Sequence, residues 1–214
     1  MGIRISGSTR CRLALVKQVR RASYNEVIRY WFNYEYDSRQ DFQRAVDQRL
    51  GAQALALRQK GLDDPAANSV RLAIMQAWRS FVLQGFDQAE WSFITFDDVD
   101  LPVLRLIDSG DWRDITSGSL DPMVAAKRVG SDASLRTGPY AQQVNFILTR
   151  VESLATTPSR IVIAGIDGGP LTVVDGVHRI VAACLYYKVR NKTTMGAREA
   201  YFGSMQRPYS VRFT

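Results

Sequence analysis

Apolar residues recur at helical spacing through the first third of the chain. Phe42, Val46, Leu50, Ala54 and Leu57 fall on one stripe, which predicts a helix over residues 39–60 with Ser38 as its N-cap and Gly61 as its stop. Upstream, Ser23-x-x-Glu26 is a capping box that opens an aromatic segment holding Tyr24, Tyr30, Trp31, Phe32, Tyr34 and Tyr36. These rings read as core, because they bury large areas, or, beside Arg29, as a surface that stacks bases. Asp64 caps a second helix with Pro65 at its first position. Leu72, Met75, Ala77, Trp78, Phe81 and Val82 fill it as far as Gln84, and Gly85 ends it. From Trp91 the period changes. Ser92–Phe96 reads as a strand, Val103–Asp108 and Ser119–Arg128 as short helical pieces, and residues 130–138 as a polar loop. Pro139 then starts a helix in which Val144, Ile147, Leu148, Val151 and Leu154 share a face. Residues 160–165 and 171–174 are apolar runs on either side of the turn Asp167-Gly168-Gly169-Pro170, which predicts a hairpin. Residues 189–206 read as a polar connection, and the alternating Tyr209–Phe213 as a final strand.

The hairpin delivers the chain to the stretch around which the rest is organised. After Leu171–Val174 comes Asp175-Gly176-Val177-His178-Arg179, and then Ile180, Val181, Cys184 and Leu185 at the spacing of a buried helix face. Gly176 permits a sharp turn. Asp175, His178 and Arg179 are left at its mouth, and His178 is the only histidine in the chain. A helix N-terminus already favours an anion, so an added imidazole and guanidinium make a phosphate site the chemical reading. The plainer alternative makes Asp175 a cap that pairs with Arg179 at i, i+4 and His178 a satisfied side chain.

Charge changes the picture at the start of the chain. The net charge is +7, with 46% hydrophobic and 23% charged residues, as in ordinary globular proteins. Residues 1–60 carry +7, residues 61–132 carry −6 and residues 133–214 carry +6. Two basic ends around an acidic middle point to a polyanionic partner, against the alternative of a merely solvated surface. Residues 1–21 read as a basic arm in which Arg10, Arg12, Lys17, Arg20 and Arg21 would contact DNA phosphates, or as an unstructured end or short helix. Cys11 and Cys184 are far apart in sequence, which fits reduced thiols in a cytoplasmic protein, and no standard zinc arrangement is available. No run of 18 apolar residues predicts a membrane span. No Walker sequence and no Gly-x-Ser-x-Gly elbow occurs either.

Asp-Gly-x-His-Arg after an apolar strand and before a small-residue helix resembles the nucleotide-site motif of the ParB/sulfiredoxin superfamily. Val99-Asp100-Leu101-Pro102 is similar to the opening of such domains. The resemblance implies an α/β (α+β) fold with residues 89–214 as the ParB-like domain, residues 22–88 as a helical extension and residues 1–21 as the arm. It implies that Gly176, Val177, His178 and Arg179 hold nucleotide, that Asp175, His178 and Arg179 serve catalysis, and that Asp175 directs a metal. The expected cofactors are ATP and Mg²⁺, and the expected partners are nucleotide, DNA and a component of a DNA-transfer machine. Position 177, where sulfiredoxins keep a nucleophilic cysteine, is a valine here, so sulfinic acid reduction is not expected. The Osa-type plasmid fertility-inhibition proteins of this superfamily imply ATP hydrolysis and DNA cleavage. A non-cleaving regulator and a small-molecule kinase are the alternatives.

Overall fold

The computed structural model describes residues 17–79, 82–166, 169–206 and 209. One six-stranded mixed sheet runs through it, in the order β1-β2-β6-β4-β5-β3. The strands are β1 (Lys17–Arg21), β2 (Glu90–Phe96), β3 (Leu104–Leu106), β4 (Ile161–Gly165), β5 (Leu171–Asp175) and β6 (Arg198–Ser204). The predicted hairpin is present, with β4 and β5 antiparallel, while β4–β6 and β3–β5 are parallel. All five residues of β4 are buried, as expected of a central strand covered on both faces.

Register shows what covers each face. Phe93 of β2 lies opposite Tyr201 of β6, and Ile94 opposite Ala200, so the two pairs project to opposite sides. On the Phe93 side lies α1 (Tyr24–Ser38), where Tyr24 stacks on Trp91 and Tyr30 packs on Tyr201. Trp91 lies flat over Gly203, where a Cβ would meet the indole ring at 2.9 Å, so glycine is the residue that lets the ring close down on β6. Behind α1 pack α2 (Gln40–Leu50), α3 (Gln53–Gln59) and α4 (Pro65–Arg79). On the other side, α9 (Val177–Ala183) brings Ile180 and Ala183 to Phe96 and Ile161. It is joined there by α6 (Pro122–Ser131), α7 (Ala141–Thr149) and α8 (Val151–Thr156), with α5 (Gly110–Ile115) at the side. The chain is thus helix–sheet–helix in section, a mixed α/β architecture as the sequence predicts.

Several boundaries differ from the sequence expectation. Lys17, Arg20 and Arg21 belong to β1, hydrogen-bonded to β2, so this part of the expected arm is an edge strand of the sheet. Arg10, Arg12 and Cys11 lie outside the described residues. The helix expected over 39–60 is two helices broken at Gly51 (φ 53°), and Ser38 ends α1 instead of capping α2. The apolar stripe survives the break, for Phe42, Val46, Ala54 and Leu57 are all buried. In α4, Asp64 caps as expected, its Oδ1 accepting from the Ala67 amide at 2.8 Å; the helix is described as far as Arg79, Phe81 lies outside the described residues, and residues 82–84 are not helical. Leu104–Leu106 is a strand and not a helical piece, because its alternation buries Leu104 and Leu106 beside β5. The helix predicted after Pro139 is two, α7 and α8. β6 lies where a polar connection was expected, and α9 runs on into a π-helical turn, Cys184–Arg190. Asp167, Gly168 and residues 210–213 lie outside the described residues, and Tyr209 is not in a strand.

Candidate functional site

The strand–turn–helix arises as its residues dictate. β5 ends at Asp175, and Gly176 takes φ 87° and ψ 19°, which places it in the left-handed region. A Cβ there would meet Ile161 Cγ2 at 2.4 Å and the Arg179 guanidinium at 2.9 Å, so glycine is required both by conformation and by space. α9 starts at once, with the Ile180 amide donating to the Gly176 carbonyl at 3.0 Å. The amides of Val177, His178 and Arg179 therefore precede the first turn's hydrogen bond.

Arg179 is not free at the mouth of the turn. It is 7% exposed and donates to Asp175 Oδ2 at 2.7 Å, to the Tyr30 hydroxyl at 3.3 Å and to the Arg160 carbonyl. Tyr30 donates to the same carbonyl at 2.6 Å, and the guanidinium carbon stands 4.1 Å from the centre of the Tyr34 ring. Burial pulls the Arg179 pKa down, and Asp175, Tyr34 and Tyr30 more than offset it, so the group stays charged. The plainer sequence reading of Arg179 is the one the geometry shows: it pairs with Asp175 at i, i+4, and it also fastens α9 to α1 and to the start of β4. An Arg179 substitution accordingly strikes the fold as well as any ligand contact.

His178 is also changed by its surroundings. Its ring packs edge-on against Trp112 and Phe146, with centroids 5.6 and 5.4 Å away. Burial first, then the charges of Arg179 and Arg39, push its pKa down to about 4. The imidazole is therefore neutral at neutral pH and offers an anion an N–H, not a charge. Val177 is buried in the core.

Asp175, Gly176, His178 and Arg179 line one wall of a cleft of about 440 Å³. The opposite wall comes from the N-terminal helices: Tyr34, Glu35, Ser38 and Arg39 at the end of α1, and Arg79 at the end of α4. Gln142, Gln143, Phe146 and Leu154 complete it. This size lies within the range of small-molecule sites. The N-terminal wall is the part of the site that sequence reasoning missed. Glu35 is its organising group, 2% exposed, with Arg79 at 2.6 Å, Arg39 at 3.7 Å and the Trp78 indole N–H at 3.3 Å.

Among the described residues no three His, Cys, Asp or Glu side chains cluster as metal ligands. Mg²⁺ is commonly held by one or two carboxylates together with phosphate oxygens; Asp175, whose Oδ2 is paired with Arg179 at 2.7 Å, is the carboxylate at the turn that would take that role. Three acidic residues just before β3, Asp97, Asp98 and Asp100, make their hydrogen bonds outside the cleft. Asp97 accepts from the Val99 amide and donates its own amide to Asp100, each at 2.9 Å. Asp98 holds Lys188 at 2.9 Å and the Met195 amide at 3.0 Å. Cys184 is buried, and burial pushes its thiol up to about 12, which leaves it unreactive.

The fold is mixed α/β, and an arginine-lined cleft opens beside its strand–turn–helix. No family model matches the chain, and neither a curated protein nor a solved structure does. Among the described residues no helix is long and apolar enough to cross a membrane.

Proposed function

We propose that this chain is a nucleotide-binding protein acting on DNA, with a nucleotide such as ATP, and Mg²⁺ beside Asp175, in the cleft at the Asp175–Arg179 turn. The observation that carries the reading is the cleft itself, which is lined by Gly176 and His178 at the start of α9 and by Arg39, Arg79 and Arg179. An anion placed there meets charge-assisted donors. The Asp-Gly-Val-His-Arg sequence at that place supports a ParB-like character, and with it ATP hydrolysis and DNA cleavage directed at a DNA-transfer machine. In such chemistry the chain's part is to position phosphates and stabilise charge, the metal ion supplying further charge neutralisation.

A second reading has its own support. His178 is a weak base, and Asp175 is engaged by Arg179, so neither is poised to take a proton from an attacking water. These groups suit a nucleotide-responsive regulator that binds without cutting. Calorimetric titration of ATP into the full chain, followed by incubation with supercoiled plasmid and labelled ATP with and without Mg²⁺, separates the readings. Saturable binding with release of phosphate and nicking of plasmid is the outcome for an enzyme. Binding without either product identifies the regulator, and absence of nucleotide binding overturns both.

A further inference from the structure

We infer that Arg39 and Arg79, set in place by the buried carboxylate of Glu35, are the anion-binding residues of the cleft's N-terminal wall, and that they receive a phosphate group of the bound nucleotide. The inference rests on the nucleotide reading above and adds the half of the site that lies outside the Asp175–Arg179 turn.

Charge balance is the first argument. On the turn's wall Asp175 and Arg179 neutralise each other. On the N-terminal wall a single carboxylate faces two guanidinium groups. Arg39 divides itself between Glu35 and Asp41, whose side chain is 52% exposed and in solvent. That pair is two-pronged, Nε to Oδ1 at 3.3 Å and Nη2 to Oδ2 at 2.9 Å, but it lies at the surface, where a phosphate in the cleft competes with Asp41 for the same guanidinium. The surplus positive charge of the cleft therefore lies with Arg39 and Arg79, not with the turn.

Unsatisfied valence is the second. Arg79 Nε is closed off from solvent and has no hydrogen-bond partner, and so is Gln143 Oε1 on another wall of the same cleft. Buried polar atoms without partners are uncommon and costly. One is a donor and the other an acceptor. A nucleotide carries both complements, phosphate oxygens for the guanidinium and a hydroxyl or exocyclic amine for the amide oxygen. Glu35 acts through the arginines as a positioning residue. It accepts from Arg79 and from Trp78, which fixes the Arg79 fork at the end of α4 while one nitrogen remains to be used.

The test is titration of ATP, and separately of inorganic tripolyphosphate, into the full chain and into the Arg39→Gln and Arg79→Gln variants. Arg39 is 42% exposed in its side chain, so Arg39→Gln leaves the fold intact and keeps the test sound if Arg79→Gln destabilises the protein. Loss of one charged phosphate contact raises Kd about tenfold or more. Each variant is expected to lose that factor for ATP and for tripolyphosphate alike, because the lost contact is to phosphate and not to base or ribose. Glu35→Gln is expected to weaken both ligands while Arg39→Lys recovers part of the affinity. Unchanged Kd values in a folded Arg39→Gln protein, with the wild-type chain binding ATP, overturn the inference and leave the nucleotide reading standing. A wild-type chain that binds neither ligand overturns both.

Discussion

Arg71 shows how much a single side chain decides in this protein. It is 0% exposed, and its guanidinium donates to three uncharged oxygens, the carbonyls of Leu57 and Lys60 at 2.6 Å each and Asn68 Oδ1 at 2.8 Å. The two carbonyls close the end of α3, where the helix dipole favours a cation. Arg71→Ala strands them in the interior, and about 3 kcal/mol of unfolding free energy should be lost in a urea titration. Arg71→Lys should restore only part, since an ammonium lacks the planar fork. His178 gives a pH signature of its own. Its pKa is about 4 folded, against an ordinary value of 6.5, so the unfolded chain binds the proton more readily. Its contribution is fully present above pH 6.5 and is lost as pH falls toward 4, by about 3 kcal/mol in all. His178→Phe should therefore flatten the melting temperature between those limits. An unaltered acid limb in that variant would show that other groups carry the transition.

The strand–turn–helix of β4, β5 and α9 was legible because its residues agree at every level. Ile161–Ala164 and Leu171–Val174 are apolar enough for strands buried on both faces, and Gly176 stands at a turn whose positive φ calls for glycine. Elsewhere local pattern yields to packing. Arg198–Ser204 carries two charges and a glycine and looks polar, yet it becomes a central strand because Tyr201 and Phe202 fill the core and Gly203 admits Trp91. Leu104–Leu106 is too short for its alternation to stand out from a helical repeat. Periodicity over residues 39–60 is real, but it spans two helices that share one stripe across Gly51. Gly176→Ala tests the element directly. It sets a Cβ against Ile161 at 2.4 Å and holds alanine at a positive φ, and a loss of about 3 kcal/mol or more in unfolding free energy is expected.

At the scale of the molecule, the site was half legible. The turn announces itself in sequence, whereas Glu35, Arg39 and Arg79 sit on α1 and α4 and reach the turn only through tertiary packing. The N-terminal helices are consequently part of the cleft and not an appendage to it. The edge strand β1 extends the same argument. All five of its residues are exposed, and Lys17, Arg20 and Arg21 line the sheet's outer margin, where charge also discourages pairing with another chain. Arg20 is engaged with Glu26, so under the proposed DNA reading Lys17 and Arg21 are the two residues of the strand to test. Replacing both with alanine should lower DNA affinity evenly across sequences and reduce the salt slope of log K by about 1 per residue. A slope equal to wild type would remove β1 from the DNA surface.

The central claim, that nucleotide occupies the cleft between the turn and the N-terminal helices, is tested most directly by photo-crosslinking the full chain with an azido-adenine analogue of ATP and mapping the labelled residues by mass spectrometry. Saturable labelling confined to residues of the cleft wall, among them Tyr34, Gln142, Gln143 and Phe146, and abolished by excess ATP, is the predicted result. Labelling spread over the surface, or gathered at the separate groove lined by Leu50, Leu57 and Val70, would contradict it.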